Sequence, residues 1–403
     1  MDSVGIVAEY NPFHNGHQYQ LQMAKKITDS DIVIAIMSGN FLQRGEPALV
    51  SKWARTKMAL QLGVDLVIEL PYAFTIQKAE IFAFGAVFIL NAMKCKKICF
   101  GSESGDITTF YQTYDFIENH KDDYEDFIRS FIKTGMSYPK ALSEAFKKLN
   151  PKHDTIDLSK PNNILGFYYI SAASVINPSI KLYTVKRKNA NYHDTFFNQS
   201  NIASATSIRM AIQQNKSLEA INAFIPSQTF QELHNYKKEF SQYHTWEHYW
   251  PFLQYKLLSM NDKELEAIYE VEEGLENRLL KAARTSENFT TFMQQIKTKR
   301  YTWTRLQRVC VHILNNTQKQ TIQMIRQTPE YIRLLGMTNN GREYLRKIKK
   351  DLPITLISKI SSQDNDMLSL DIKATDIYAH ALKEPFRSKL RALEFEQPPI
   401  IYP

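Results

Sequence analysis

Val4-Gly5-Ile6-Val7-Ala8-Glu9-Tyr10-Asn11-Pro12-Phe13-His14-Asn15-Gly16-His17-Gln18-Tyr19-Gln20 decides how the chain is read. Its apolar opening breaks at Asn11-Pro12, and a helical pattern resumes at Gly16. That sequence of events predicts a buried first strand, a tight turn and a helix start. His14 and His17 are three residues apart, so at a helix start both rings share one face. Gly16 removes a side chain where a phosphate would need room beside the backbone. Backbone N–H groups at a helix N-terminus favour an anion, and two imidazoles add donors for charge developing on it. The expectation is a site for the α-phosphate of a nucleotide. The plainer readings, half a metal site or two surface histidines, do not account for Pro12 and Gly16 in register with the strand end.

Outward from this stretch, apolar runs recur at α/β spacing. Asp31–Met37, Val64–Leu70, Lys97–Phe100 and Lys181–Val185 read as further strands. Between them, Ser51 caps a helix running to Leu62, and Ala79–Met93 reads as a mostly buried helix. The fold class expected is α/β, a doubly wound parallel sheet of Rossmann-like type. Its strand ends would set the loops at His14, Ser38 and Gly101 along one crevice. Residues 107–150 read as amphipathic helices covering the crevice edge. Lys160-Pro161-Asn162-Asn163-Ile164-Leu165-Gly166 reads as a turn opening a helix, where the Asn side chains either cap it or meet a nucleotide. The fifth strand ends in Lys186-Arg187-Lys188, followed by Asn191-Tyr192-His193-Asp194.

The 403 residues are expected to form two domains, an α/β catalytic unit over 1–215 and a helical unit over 216–403. No apolar run approaches the roughly 20 residues of a membrane span, and the opening lacks the pattern of a signal peptide. Three cysteines, Cys95, Cys99 and Cys310, suit a reduced, cytoplasmic protein, and no ligand set for a metal stands out. The net charge is +8, and Arg278–Lys350 carries sixteen Lys/Arg against three acids. Arg300-Tyr301-Thr302-Trp303-Thr304-Arg305-Leu306-Gln307-Arg308 and the stretch around Arg346 interleave cations with aromatics. That habit suits RNA, although a solvated face would look similar.

Pro12-Phe13-His14-Asn15-Gly16-His17 resembles the P-x-H-x-G-H form of the HIGH signature of nucleotidylyltransferases. Tyr10-Asn11-Pro12 stands where many small-molecule adenylyltransferases carry F-D-P. Ala203-Ser204-Ala205-Thr206-Ser207-Ile208-Arg209 resembles the second signature, I-S-S-T-x-I-R, with alanines at its first and third positions. A helix cap there, with Arg209, could hold the β- and γ-phosphates. The signatures leave open whether the attacker is a phosphate or a carboxylate. A small-molecule nucleotidylyltransferase of cofactor synthesis, or an RNA-binding protein with a vestigial site, are the alternatives.

The whole chain resembles the tRNA(Met) cytidine acetate ligase family. The resemblance rests on the opening V-A-E-Y-N-P-F-H-N-G-H, Ser38-Gly39-Asn40-Phe41, Gln43-Arg44-Gly45-Glu46-Pro47, Lys160–Gly166 and Arg300-Tyr301-Thr302. It implies that ATP and acetate form acetyl-adenylate, with Mg2+ accompanying ATP. The acetyl group would then pass to N4 of the wobble cytidine, position 34, of elongator tRNA(Met). ATP contacts implied by the resemblance fall on Val7 through Gln20, Gly101, Asn162 and Arg187. The catalytic expectation is His14, His17 and Arg209, and the RNA-binding expectation is Arg300, Arg305, Arg308 and Arg346.

Overall fold

The computed structural model describes residues 1–151, 154–187, 201–214, 217–325, 327–360 and 365–403. Lys188, the Asn191–Asp194 stretch and the expected domain boundary at 215/216 lie outside them. The first half builds five parallel strands: β1 (Ser3–Ala8), β2 (Ile32–Ser38), β3 (Leu66–Leu70), β4 (Lys97–Ser102) and β5 (Lys181–Lys186). Their order is β5-β4-β1-β2-β3. β2 and β3 are buried at every position, which is why they appear in the sequence as unbroken apolar runs. Helix α1 (Asn15–Thr28) follows β1, and α2 (Lys52–Gln61) follows β2 with Ser51 as its cap. All five C-terminal strand ends therefore open on the same edge.

The second half is dominated by helices, but it also returns to the sheet. β6 (Tyr331–Thr338) pairs antiparallel with β3, from Leu66 opposite Met337 to Glu69 opposite Arg333. β7 (Thr355–Ile357) and β8 (Ile400–Tyr402) pair parallel with successive parts of β6. β6 and β7 differ from the expectation of helices from 216 to about Arg391, whereas β8 falls in the extended tail expected at the Pro-containing end. β6 is a short apolar run with one arginine, and periodicity alone does not separate such a run from a buried helix.

A buried charge cluster fastens the two halves together. Lys52 is fully buried in the first turn of α2, and its Nζ donates to Glu69 of β3 at 2.8 and 2.9 Å and to Glu394 at 2.9 Å. Thr375 bridges Glu394 to Asn40, whose side-chain oxygen accepts the Lys52 backbone N–H. Arg333 of β6 lies against the same Glu394. Desolvation disfavours the Lys52 charge, while attraction to Glu394 and Glu69 and hydrogen bonding hold the ammonium charged.

Candidate nucleotide-binding site

The signature turn occupies the C-terminal end of β1, in the middle of the parallel strands. Tyr10 takes a left-handed conformation (φ 47°), and the Asn11–Pro12 peptide is cis. His14 is the N-cap of α1. Its Nδ1 accepts the Gly16 N–H at 3.0 Å, while His17 Nδ1 accepts the His14 N–H at 3.3 Å. The pair thus forms a capping box in which imidazoles replace the usual Ser and Glu. With both Nδ1 atoms accepting, a neutral ring carries its proton on Nε2. The rings stack 3.8 Å apart at 26°, with Tyr10 and Phe13 against His17.

Burial, with the positive charges of Arg187 and Arg209, holds the His14 pKa down to about 3. Burial, His14 and Arg187 likewise push His17 well below its ordinary value. Both rings are therefore neutral Nε2–H donors at physiological pH. That state suits an α-phosphate whose negative charge grows during reaction.

Gly16 has a different reason from the one its position suggests. A Cβ there would lie 2.8 Å from His14 Cε1 and 2.9 Å from Nδ1, so the glycine first makes room for the capping imidazole. An open cleft of about 460 Å³ runs along the pair, lined by His14, Gly16, His17, Tyr19, Gln20, Gly101, Val185, Lys186, Arg187, Ile202 and Ala203. Gly101 lies in the last rungs of β4, paired with Val185, rather than in the loop expected for it. An added Cβ would only touch Arg187 and Gln20, at 3.6 and 3.7 Å.

Not every expected residue reaches this cleft. The side chain of Asn162 donates to Glu103 at 2.6 Å, and Glu103 also accepts the N–H groups of Asn162 and Asn163. Asn163 Oδ1 in turn accepts from Glu103 N and Ser104 N. The two asparagines clamp the loop after β4 to the helix Pro161–Ile176. Arg209, on the helix Ala205–Gln213 capped by Ser204, donates to the Asn11 carbonyl at 3.1 Å and to Glu46 at 2.8 Å. In this state it braces the signature turn. Val7, Ala8 and Glu9 end β1 or follow it, and Asn15 ties α1 to the carbonyls of Asn201 and Ala223. Gln18 is half-buried on α1, and Phe13 is core.

Arg55 was not among the expected site residues. It is fully buried on α2 and donates to the carbonyls of Val50, Glu9, Ser38 and Gly39. It thereby stitches the ends of β1 and β2 behind the turn. Arginine inside a buried helix face was the available signal.

The expected RNA arginines are not one open patch. Arg300, Arg305 and Arg308 pair with Glu273 (2.6 Å), Glu272 (2.8 Å) and Glu270 (3.0 Å). The acidic run Asp262–Glu276 folds back on the basic run that follows it. Arg346 lies at the other end of the sheet from the cleft: on its helix, Asn339–Ile348, Tyr344 bonds Ser3 and Met93, at the starts of β1 and β4. With β1 six residues long, the separation is on the order of 20 Å.

A strand-end cleft flanked by two tautomer-locked signature histidines defines a nucleotidyl transferase of the HIGH type, and the HIGH Nucleotidyl Transferase family model matches residues 1–392. The tRNA(Met) cytidine acetate ligase of Geobacillus sp. strain WCH70 is 48% identical over 403 residues, covering 100% of both chains. That of Bacillus subtilis strain 168 is 49% identical over 407 residues, covering 100% of this chain and 98% of its own. The crystal structure of Thermotoga maritima TmcAL without ligand aligns with TM-score 0.90 at 33% identity, over 100% of this chain and 99% of that one. The same protein bound with α-thio ATP aligns at TM-score 0.89, with the same identity and coverage. The chain belongs to the tRNA(Met) cytidine acetate ligase family.

Proposed function

We infer that this chain is an ATP-dependent ligase that activates acetate as acetyl-adenylate. It then transfers the acetyl group to N4 of the wobble cytidine of elongator tRNA(Met). The observation that carries the adenylylation step is the pair of neutral imidazoles, each donating through Nε2 beside a cleft edged by Arg187. The end-to-end kinship with ligases of that name supports the choice of acetate and tRNA.

His14 and His17 hold the α-phosphate and stabilise the charge that builds as acetate attacks phosphorus and pyrophosphate departs. Arg187, at the end of β5, offsets phosphate charge across the cleft. Arg209 keeps the turn in register and, on this reading, exchanges its Glu46 partner for the leaving phosphates. Among the described residues, no three His, Cys, Asp or Glu side chains form a metal-holding group, so Mg2+ would arrive on the ATP phosphates. The second half supplies the tRNA platform, with the exposed Arg300 as part of it and charge partly offset by its glutamates. Base-edge chemistry requires the cytidine to be splayed out of its stack into the site. Three buried, unbridged cysteines accord with a cytoplasmic setting; among the described residues no helix is long and apolar enough to cross a membrane.

Acetate-dependent exchange of pyrophosphate into ATP tests the first half-reaction. Exchange with acetate, and none with nucleotide monophosphates, supports this reading; the reverse pattern supports a cofactor-making enzyme.

A further inference from the structure

The reading above leaves one proton without an acceptor. The lone pair of the cytosine N4 amine is delocalised into the ring, so attack on an acyl carbonyl requires loss of an N–H proton to a base. The signature histidines cannot serve. Their Nδ1 lone pairs are taken by backbone N–H groups, and their Nε2 atoms already carry hydrogen. Among the described carboxylates near the strand ends, Glu46 is paired with Arg209. Glu103 spends both oxygens on the Asn162 and Asn163 N–H groups. Glu69 belongs to the buried Lys52 cluster.

We propose that Glu9 is the general base that takes the N4 proton during acetyl transfer. It directly follows β1 and immediately precedes the signature turn. Its Oε1 accepts the Gln43 N–H at 3.0 Å, which fixes the carboxylate, and its second oxygen has no hydrogen-bond partner among the described residues. The residue is half-buried, so the group is neither closed off nor freely solvated. Arg44 and Glu46 face it from the loop after β2, Arg209 from the helix Ala205–Gln213, Arg55 from α2 and Tyr169 from the helix Pro161–Ile176. Burial raises its pKa and outweighs the arginines, so it accepts a proton more readily than a surface glutamate.

In the step, the N4–carbonyl carbon bond forms and the carbonyl carbon–oxygen bond to AMP breaks. The bonding pair leaves with the AMP phosphate, and the N4 proton passes to Glu9 and then to water. The assignment rests on the ligase reading, and its test separates the two. Enzyme preloaded with ATP and acetate is mixed with tRNA in single turnovers between pH 5.5 and 8.5, using wild type, Glu9→Gln and Glu9→Asp. Wild-type transfer rises with pH to a plateau. Glu9→Gln slows transfer about a hundredfold or more and removes the ascending limb, with a smaller loss in acetyl-adenylate formation. Glu9→Asp restores the limb at a reduced rate. A limb that persists in Glu9→Gln, or equal losses in both half-reactions, overturns the assignment and leaves the departing phosphate as acceptor. Wild type that forms no acetyl-adenylate overturns the ligase reading itself.

Discussion

Replacing His14 by asparagine separates its two tasks. Asn Oδ1 occupies nearly the position of His Nδ1 along the side chain, so it can still accept the Gly16 N–H at the start of α1. Asparagine is also among the best N-cap residues. What the substitution removes is the Nε2–H to which the proposed function assigns the α-phosphate. Loss of one preorganised donor costs about 3 kcal/mol in the transition state, roughly a hundredfold in rate. His14→Asn should therefore show stability within about 0.5 kcal/mol of wild type, with acetate-dependent ATP–pyrophosphate exchange down about a hundredfold. His14→Ala should lose the same rate and about 1 kcal/mol of stability besides, because its cap is gone. Chemical denaturation and exchange on the same preparations decide the matter. Exchange in His14→Asn within threefold of wild type would refute the donor role; a rate loss only in His14→Ala would reduce His14 to a cap.

Three further expectations concern the same framework. Since the His14 pKa is held near 3, the folded state stays neutral where an unfolded histidine protonates below about 6.5. Its contribution is thus present above pH 6.5 and declines as pH falls toward 3. Between pH 7.5 and 5.5 wild type should lose about 1.3 kcal/mol more stability than His14→Asn, and parallel pH curves would contradict this. Lys52→Met strands Glu69 and Glu394 without their buried cation, so unfolding free energy should drop by about 3–5 kcal/mol; a loss below about 1 kcal/mol would mean the cluster relaxes. Arg300→Glu with Arg305→Glu breaks only partly or well exposed pairs, so the fold should survive. tRNA affinity should nevertheless fall, with the slope of log affinity against log salt reduced by up to about 2, whereas an unchanged slope places the RNA elsewhere.

The catalytic framework was legible because its signals are local. β2 and β3 are apolar runs buried at every position, and Ser51 and Ser204 announce their helices by cap chemistry alone. His14 and Gly16 were legible as a pair, yet the clash that makes Gly16 necessary depends on the ring orientation. What stayed hidden depends on partners distant in sequence. Lys52 meets Glu394 across 342 positions, and nothing near either residue marks it as buried. Asn162, which its local sequence marked as a cap before a ligand, has its side chain bonded to Glu103, 59 residues earlier. The basic run looked open because its acids precede it in the chain, and only the fold turns Glu270, Glu272 and Glu273 onto Arg308, Arg305 and Arg300. β6 escaped because a run of eight with an internal arginine has no decisive period, its arginine lying 3.9 Å from the carboxylate of Glu394, 61 residues on.

The central claim is that free acetate, activated by ATP at the His14–His17 turn, ends on a cytidine of tRNA. Incubation of the protein with labelled acetate and elongator tRNA(Met), with and without ATP, followed by nucleoside analysis, tests it most directly. Label should enter N4-acetylcytidine only when ATP is present, with no need for acetyl-CoA. Label that enters without ATP, or only from acetyl-CoA, would contradict it.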